Sequence, residues 1–493
     1  MVRDAFGVSS SRKALRAFRT TAKGGVRKRF VTRVRSVDRM ELFGSSGIRG
    51  VANETVTPRF CLRVGMAVGT VVGGERVAVG RDTRATGGMF ANAVVSGLQS
   101  VGCDVDRLGE LPTPGVQLYA ERESVPAVMI TASHNPPEYN GIKLIGADGI
   151  ELPVAELERI ETALDEDGCA RARWDETGDA RSVEGVREAY VEEVVDAVDR
   201  DRIADADLTV ALDPGHGAGA LTSPEIFREL GCSVVTVNAQ ADSHFPGRDP
   251  EPVPENLTDL GGLVRAADAD VGIAHDGDAD RAIFFDERGE YIEGDATFAV
   301  LAAGVLDGDA TTVSAVTASQ RLVDIAEQAG ATLERTPVGS TRIISRVREL
   351  ESEGASVPVA GEGNGGVLFP NYRLARDGAY TAARFLELIA ERPASEVVAD
   401  VGDYHNVRTT VDYGSDAGRE ALLAAVARHA EASSGDLDTT DGYRLDFGDA
   451  WVLARESGTE PVVRIYAEAR EADRARDLAD DLETTLEAAL ADA

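Results

Sequence analysis

Short runs of β-branched and aliphatic residues, each released into a polar glycine-rich loop, alternate with longer helical stretches along most of this chain. "RVAVG" (Arg76–Gly80) and "AVMITAS" (Ala127–Ser133) read as buried strands flanking a helical stretch at Gly87–Val101. "LTVALDPGHGAGA" (Leu208–Ala220) reads as strand then loop, followed by a helix near Pro224–Leu230 and a strand at Ser233–Val237. "VGIAHDGDADRAIFFDERG" (Val271–Gly289) and "VPVAGEGNGGVLF" (Val357–Phe369) each read as strand, loop, strand. Parallel strands need crossover helices, so this alternation points to α/β units. The last block breaks the pattern: "WVLARESGTEPVVRIYAEA" (Trp451–Ala469) reads as an antiparallel pair around a loop. Behind it lies a helical tail with Leu478, Leu482, Leu486 and Leu490 at four-residue spacing.

A chain of 493 residues has room for three or four domains at roughly 100–150 residues each. The expected division is a basic extension over 1–39, then domains over 40–180, 181–289, 290–395 and 400–493. Acidic stretches near Asp165–Ala180 and Asp196–Asp205 read as linkers. The extension carries a net charge of +10, which leaves −44 on the other 454 residues of a chain whose total is −34. It lacks the apolar stretch of a secretory signal. It is expected to be a disordered tail or, preferably, a misplaced start, because Met40 directly precedes the first motif.

The body is acidic and almost free of lysine: Lys143 is the only one after Lys28. Dense carboxylates with arginine as the main cation suit a protein adapted to high salt. They also repel phosphate backbones, which argues against a nucleic-acid partner. No apolar run approaches the roughly 20 residues that span a bilayer, so no membrane partner is expected. Cys61, Cys103, Cys169 and Cys232 are too far apart for a C-x-x-C site and read as reduced thiols of a cytoplasmic protein.

Four loops carry the chemistry. In "TASHNPPEYNGIKL" (Thr131–Leu144) the hydroxyl of Ser133 sits at the end of an apolar strand. His134, Asn135 and two prolines stiffen the turn behind it. Lys143 is retained where arginine serves elsewhere, which suggests a need for an amine that can lose its proton. "DGDADR" (Asp276–Arg281) sets Asp276, Asp278 and Asp280 at alternate positions. Two charges about 4 Å apart repel by roughly 4 kcal/mol at an effective dielectric of 20. A converging trio therefore needs a cation, and oxygen-only ligands favour Mg²⁺. An EF-hand would require glycine where Arg281 stands, and helices where strands are expected.

"GEGNGG" (Gly361–Gly366) offers Glu362 and Asn364 to hydroxyl groups, although a structural glycine turn explains it as well. "RESGTEP" (Arg455–Pro461), followed by Arg464, offers Arg455, Ser457, Gly458 and Thr459 to a phosphate monoester. "FGSSGIRG" (Phe43–Gly50) adds a further glycine-rich loop with Arg49, and "LDPGHGAG" (Leu212–Gly219) lacks dinucleotide-loop spacing and reads as structural.

Taken in this order, the strings resemble the α-D-phosphohexomutase family of phosphoglucomutases, phosphomannomutases and phosphoglucosamine mutases, from about Met40 to the C-terminus. The resemblance implies three similar α/β domains with mixed sheets plus a smaller C-terminal α+β domain around a central active-site cleft. It implies that Ser133 carries phosphate, and that Asp276, Asp278 and Asp280 hold one Mg²⁺ with the serine phosphate. Lys143 and Arg49 would lie near the reacting hydroxyl, with the lysine pKa lowered by metal and arginines. Arg281 would contact phosphate, and Glu362 and Asn364 would read the sugar. Arg455, Ser457, Gly458, Thr459 and Arg464 would hold the non-reacting phosphate, with His134 and Asn135 in support.

The chain departs from the family at "GEGNGG", where many members read G-E-x-S-G-H; Asn364 replaces serine and Gly366 replaces histidine. "RTPVGST" (Arg335–Thr341) likewise has Ser340 near a histidine that some members carry, while "SGTEP" leans slightly toward phosphoglucosamine mutases. The implied reaction interconverts hexose 6-phosphate and hexose 1-phosphate through a hexose 1,6-bisphosphate, which turns over in the cleft as the C-terminal domain moves. A Mg²⁺-dependent sugar-phosphate phosphatase and a non-catalytic sugar-phosphate binder are the alternatives. A serine hydrolase is poorly supported, since Ser133 lacks the G-x-S-x-G setting.

Overall fold

A computed structural model of the chain describes residues 47–72, 75–165, 168–458 and 460–491. The expectations for residues 1–39, for the start of "FGSSGIRG" and for Thr459 lie outside that range.

Four sheets follow one another along the chain. The first holds β1 (Ile48–Val51), β2 (Arg76–Arg81), β3 (Asp104–Glu110), β4 (Ala127–Ile130), β5 (Tyr139–Ile145) and β6 (Ala180–Ser182), in the order β1-β5-β4-β2-β3-β6. The second holds β7 (Thr209–Asp213), β8 (Ser233–Thr236), β9 (Val271–Ala274), β10 (Ile283–Phe285) and β11 (Tyr291–Ile292), in the order β11-β10-β9-β7-β8. The third holds β12 (Thr311–Ala315), β13 (Thr332–Thr336), β14 (Ala360–Glu362), β15 (Gly366–Phe369) and β16 (Arg373–Arg376), in the order β13-β12-β14-β15-β16. The fourth, β17 (His405–Asp412), β18 (Asp436–Asp438), β19 (Tyr443–Asp446), β20 (Ala450–Glu456) and β21 (Val462–Ala469), is antiparallel throughout.

The first three sheets share a plan. In each, a parallel set ends at a strand that turns back into an antiparallel neighbour: β4 into β5, β9 into β10, β14 into β15. The loops at those reversals are the serine, aspartate and "GEGNGG" loops. Strand ends at the change from parallel to antiparallel pairing leave room for ligands, as crevices in open α/β sheets do.

Helices start where the sequence supplies caps. Thr57 accepts the amide of Phe60 ahead of the helix Pro58–Val71, and proline at its first position has no amide to leave unpaired. Asp377 does the same for Tyr380 ahead of Gly378–Ile389. The core beneath is not divided by block. One apolar cluster runs from Tyr190 and Val210 through Phe284 to Phe385, so the second and third sheets share it. The rings of Phe284 (β10) and Phe385 lie 4.3 Å apart. The first block has its own cores on the two faces of its sheet. The fourth has another, closed by helix Asp416–Ala432 and by Leu482 and Leu486 of helix Ala472–Ala491.

Some expectations give way here. Asp196–Asp205 is not a linker: Arg200–Asp205 is a helix capped by Asp199, with Ile203 buried in the shared core. One apolar residue in a charged stretch is enough to anchor a short helix. β6 extends the first sheet to Ser182 and β11 the second to Ile292, a few residues past the expected divisions at 180 and 289. The four cysteines are free. Among the described residues no helix is long and apolar enough to cross a membrane.

Candidate active site

The serine and aspartate loops meet. Ser133 follows β4 with φ at 51°, a left-handed conformation that few residues other than glycine adopt. Its Oγ donates to Asp276 Oδ2 at 2.6 Å across 143 positions of chain. The approach depends on Gly277, where a Cβ would lie 2.5 Å from the Ser133 carbonyl oxygen. Ala279 also has positive φ, at 55°, and this curl turns Asp276, Asp278 and Asp280 toward one another. One oxygen from each of the three falls within 4.8 Å of the others, and all three residues are buried.

Lys143 projects from β5 into the same cluster, its Nζ 2.7 Å from both Asp278 Oδ2 and Asp280 Oδ2. Thr113 Oγ1 donates to Asp278 Oδ2 at 2.5 Å, and Arg376 Nη2 to Asp280 Oδ2 at 2.7 Å. Arg281 Nε stands 3.9 Å from both Asp276 and Asp280. With the Oδ2 atoms taken, Asp278 Oδ1 and Asp280 Oδ1 are buried without a hydrogen-bond donor among the described residues. Buried carboxylate oxygens left bare are costly. An oxygen-seeking divalent cation satisfies them, and the donor set fits one.

Charge follows geometry. Burial, reinforced by the two neighbouring carboxylates, pushes Asp276 up to about 7. Burial also pushes Asp278 and Asp280 up, but Lys143 outweighs it at the first, and Arg376 with Lys143 at the second, so both lie below the usual range. Lys143 itself is pushed down by burial and more strongly up by Asp278 and Asp280, and ends above its ordinary value. The lowered lysine pKa expected from the sequence is therefore not what these neighbours produce. Burial and the cations Arg281 and Arg49 push His134 down to about 2 and keep it neutral. Arg49 Nη1 donates to Asn135 Oδ1 at 3.1 Å and lies 3.4 Å from His134 Nε2, so it sits at the rim of the serine loop.

The "GEGNGG" loop backs onto the end of the aspartate loop, Ala282 N donating to Gly365 O at 3.1 Å. Glu362 accepts from Gly339 N at 3.3 Å and from Asn364 Nδ2 at 3.3 Å. In the fourth sheet Arg455 and Arg464 face each other across β20 and β21. Arg455 pairs with Asp441, which also accepts from Val338 N, and Arg464 pairs with Glu460. Ser457 is buried and its amide closes the hairpin onto Val462. None of these phosphate-loop contacts reaches the serine–aspartate cluster.

Several residues at the site carry no mark in the motif reading. Arg84, wholly buried, donates to the carbonyls of Ser133, Asn135, Pro136 and Tyr139 and pairs with Asp82 at 3.1 Å. Arg248 holds Asp213 and the carbonyl of His275, and Ala218 N bonds the carbonyl of Gly277, so "LDPGHGAG" underpins the aspartate loop. Gly378 bonds Ala279 O, and a Cβ there would lie 2.3 Å from Arg281 O, which brings the third block against the aspartate loop. The available signal was charge at a strand end: "DTR" directly after β2, and Arg376 in "RLAR".

The chain matches four family models in order. They are phosphoglucomutase/phosphomannomutase alpha/beta/alpha domain I over residues 40–170, domain II over 188–289, domain III over 293–404, and the C-terminal domain over 410–485. It is 44% identical over 447 residues to a phosphoglucomutase/phosphomannomutase of Thermococcus kodakarensis, covering 89% of this chain and 96% of that one. It is 42% identical over 444 residues to a probable phosphoglucosamine mutase of Methanopyrus kandleri, with the same coverage of 89% and 96%. Among solved structures, a phosphoglucomutase/phosphomannomutase family protein of Burkholderia thailandensis superposes with a TM-score of 0.79 at 27% identity, covering 91% and 98% of the two chains.

Proposed function

The chain belongs to the phosphoglucomutase/phosphomannomutase family and is a phosphohexomutase, an isomerase; from that premise we propose that Ser133 is its phosphate carrier. The contact of Ser133 Oγ with Asp276, inside a buried trio of carboxylates, carries this reading. In the first half-reaction the P–O bond to phosphorylated Ser133 breaks as a hydroxyl of the bound hexose phosphate takes the phosphoryl group. The product is a hexose 1,6-bisphosphate, which turns over and returns its other phosphate to Ser133. Phosphoryl transfer asks mainly for position and charge neutralisation. Asp276, Asp278 and Asp280 would hold one Mg²⁺, which supplies charge stabilisation at the transferring oxygens when bound.

Lys143 is the one amine of the cluster, held charged by Asp278 and Asp280; it gives its proton to the serine oxygen as the P–O bond breaks and takes one back from the accepting hydroxyl. Arg281 and Arg49, each with a buried Nε that has no hydrogen-bond partner among the described residues, face the transferring phosphate. His134 and Asn135 hold Arg49 in place. Glu362 and Asn364 read sugar hydroxyls. Arg455 and Arg464 stand directly opposite each other on a hairpin, each paired with its own carboxylate, Asp441 and Glu460; with Ser457, Gly458 and Thr459 they take the phosphate that does not react. The preferred sugar is glucosamine phosphate, with the mannose and glucose phosphates close behind.

Intact mass should show one phosphoryl group that Ser133→Ala lacks. Glucosamine, mannose and glucose phosphates are then assayed together for isomer and for free phosphate. Isomer without free phosphate is expected, and only from the parent chain. Release of inorganic phosphate as the main product would make the chain a phosphatase, and an S133A variant with full activity would remove the carrier.

A further inference from the structure

The geometry points to Arg376 as a positioning residue that ties the "GEGNGG" loop to the aspartate trio, so that the sugar site and the cation site are set together. This rests on reading the trio as the cation site and that loop as the sugar reader.

Arg376 ends β16, the strand paired with β15 behind the loop. It is 5% exposed. Its Nη2 donates to Asp280 Oδ2 at 2.7 Å and stands 3.7 Å from Glu151 Oε1. Asp280 belongs to the second block, Glu151 follows β5 of the first, and the arginine comes from the third. One guanidinium thus meets a carboxylate from each of the other two α/β blocks. Burial pushes it down, but Asp280, Glu151 and Glu362 together hold it above its ordinary value, so it stays charged.

Its stem is as informative as its head. A Cβ on Gly366 would lie 2.8 Å from Arg376 Cδ, so any side chain at 366 would have to displace the arginine. Glycine at 366 and arginine at 376 therefore belong together: the bare loop backbone is covered by the arginine stem. Moving the loop moves the stem, and moving the stem moves the group that pins Asp280 Oδ2. Arg376 and Lys143 together pin that oxygen, which leaves Asp280 Oδ1 without a hydrogen-bond donor among the described residues and available to a cation. Outer partners of this kind orient a metal ligand, and their loss typically costs about 10–100-fold in metal affinity or activity. Lysine would keep the charge but not the rigid planar group that holds Nη2 beside two carboxylates at once.

The test uses the full chain and three variants, Arg376→Lys, Arg376→Met and Gly366→Ala. Two quantities are read for each: the MgCl₂ concentration giving half of the maximal thermal stabilisation, and KM against kcat for the hexose phosphate at saturating MgCl₂. R376K and R376M should raise the MgCl₂ midpoint by about 10–100-fold and raise KM with it. G366A keeps the arginine and its charge, and should move both in the same direction by less. If R376M does not fold, R376K and G366A carry the test. A lower melting temperature with both midpoint and KM unchanged would make Arg376 merely structural. A shifted midpoint with unchanged KM would remove the tie between the sites. A parent chain that MgCl₂ does not stabilise would overturn the cation site itself, whereas a stabilised parent with indifferent variants overturns the role of Arg376 alone.

Discussion

At the residue scale, the groups proposed to do chemistry are more legible than those that hold them. Ser133 and the aspartates could be read because each closes an apolar strand and sits among glycines or prolines, a setting that exposes a side chain. Arg84 could not, because four of its five side-chain bonds run to carbonyls of a loop some fifty positions away, and a carbonyl has no letter in the sequence. Arg376 was hidden for a similar reason, its partner Asp280 lying 96 positions off. Arg84 is the framework of the serine loop. It fixes the carbonyl of a residue in strained backbone and three carbonyls that follow it, and so sets where Oγ points. A misplacement of about 1 Å at a reacting atom can cost roughly a hundredfold in rate. Arg84→Lys should therefore fold and bind sugar phosphate with KM little changed, yet lose about a hundredfold in kcat. Steady-state kinetics beside a melting curve check this. Parental kcat in R84K would show that the loop holds itself.

At the scale of elements, the reversal of β4 into β5, β9 into β10 and β14 into β15 gives three loops one structural address. That equivalence was not visible in the residues, because the loops "TASHNPP", "DGDADR" and "GEGNGG" share no string. The strands were legible from their β-branched runs, whereas pairing was not. The charged pieces between blocks misled for a physical reason, since an anchor such as Ile203 contributes one residue to an otherwise polar stretch, and the edge strand β6 is held from β3 by Asp106. Asp106 shows what such an anchor does. From β3 it accepts the hydroxyl of Tyr119 in helix Thr113–Glu123 at 2.8 Å and Arg181 Nε of the exposed edge strand β6 at 2.6 Å. Burial raises its pKa, but Arg181 and Tyr119 outweigh it and leave the carboxyl below its ordinary 3.8. A folded pKa below the unfolded one means stability present above the unfolded value and lost as pH falls through the folded one. Asp106→Asn should cost about 1–3 kcal/mol near neutrality, and the difference should close in acid, below the ordinary value of 3.8. Urea midpoints of both proteins across that range measure it. A gap that persists unchanged in acid would mean that packing, not charge, is what Asp106 supplies.

Over the whole molecule, two kinds of electrostatics are kept apart. The site pairs Asp280 with Arg376 and Lys143 among groups that are almost fully buried, where dissolved salt screens little. The surface is the reverse. Helix Ala472–Ala491 buries Ala475, Ala479, Leu482 and Leu486 and shows Asp473, Asp477, Asp480, Asp481 and Glu487 to solvent, with Arg474 and Arg476 as its only cations. A net charge of −34 makes such faces repel one another across the molecule. Ions shorten the reach of that repulsion from about 10 Å at 0.1 M to about 3 Å at 1 M. The folded state holds the charges closer than the unfolded chain does, so it gains more from screening. Each kcal/mol gained moves the melting temperature of a large domain by about 2–4 °C. Raising KCl from about 0.1 M to about 1 M should therefore raise the melting temperature by several degrees, and sucrose of equal osmolality should raise it less. A flat or falling curve in KCl would mean that the surface carboxylates are already neutralised by their arginines, and the acidic composition would then say nothing about salt.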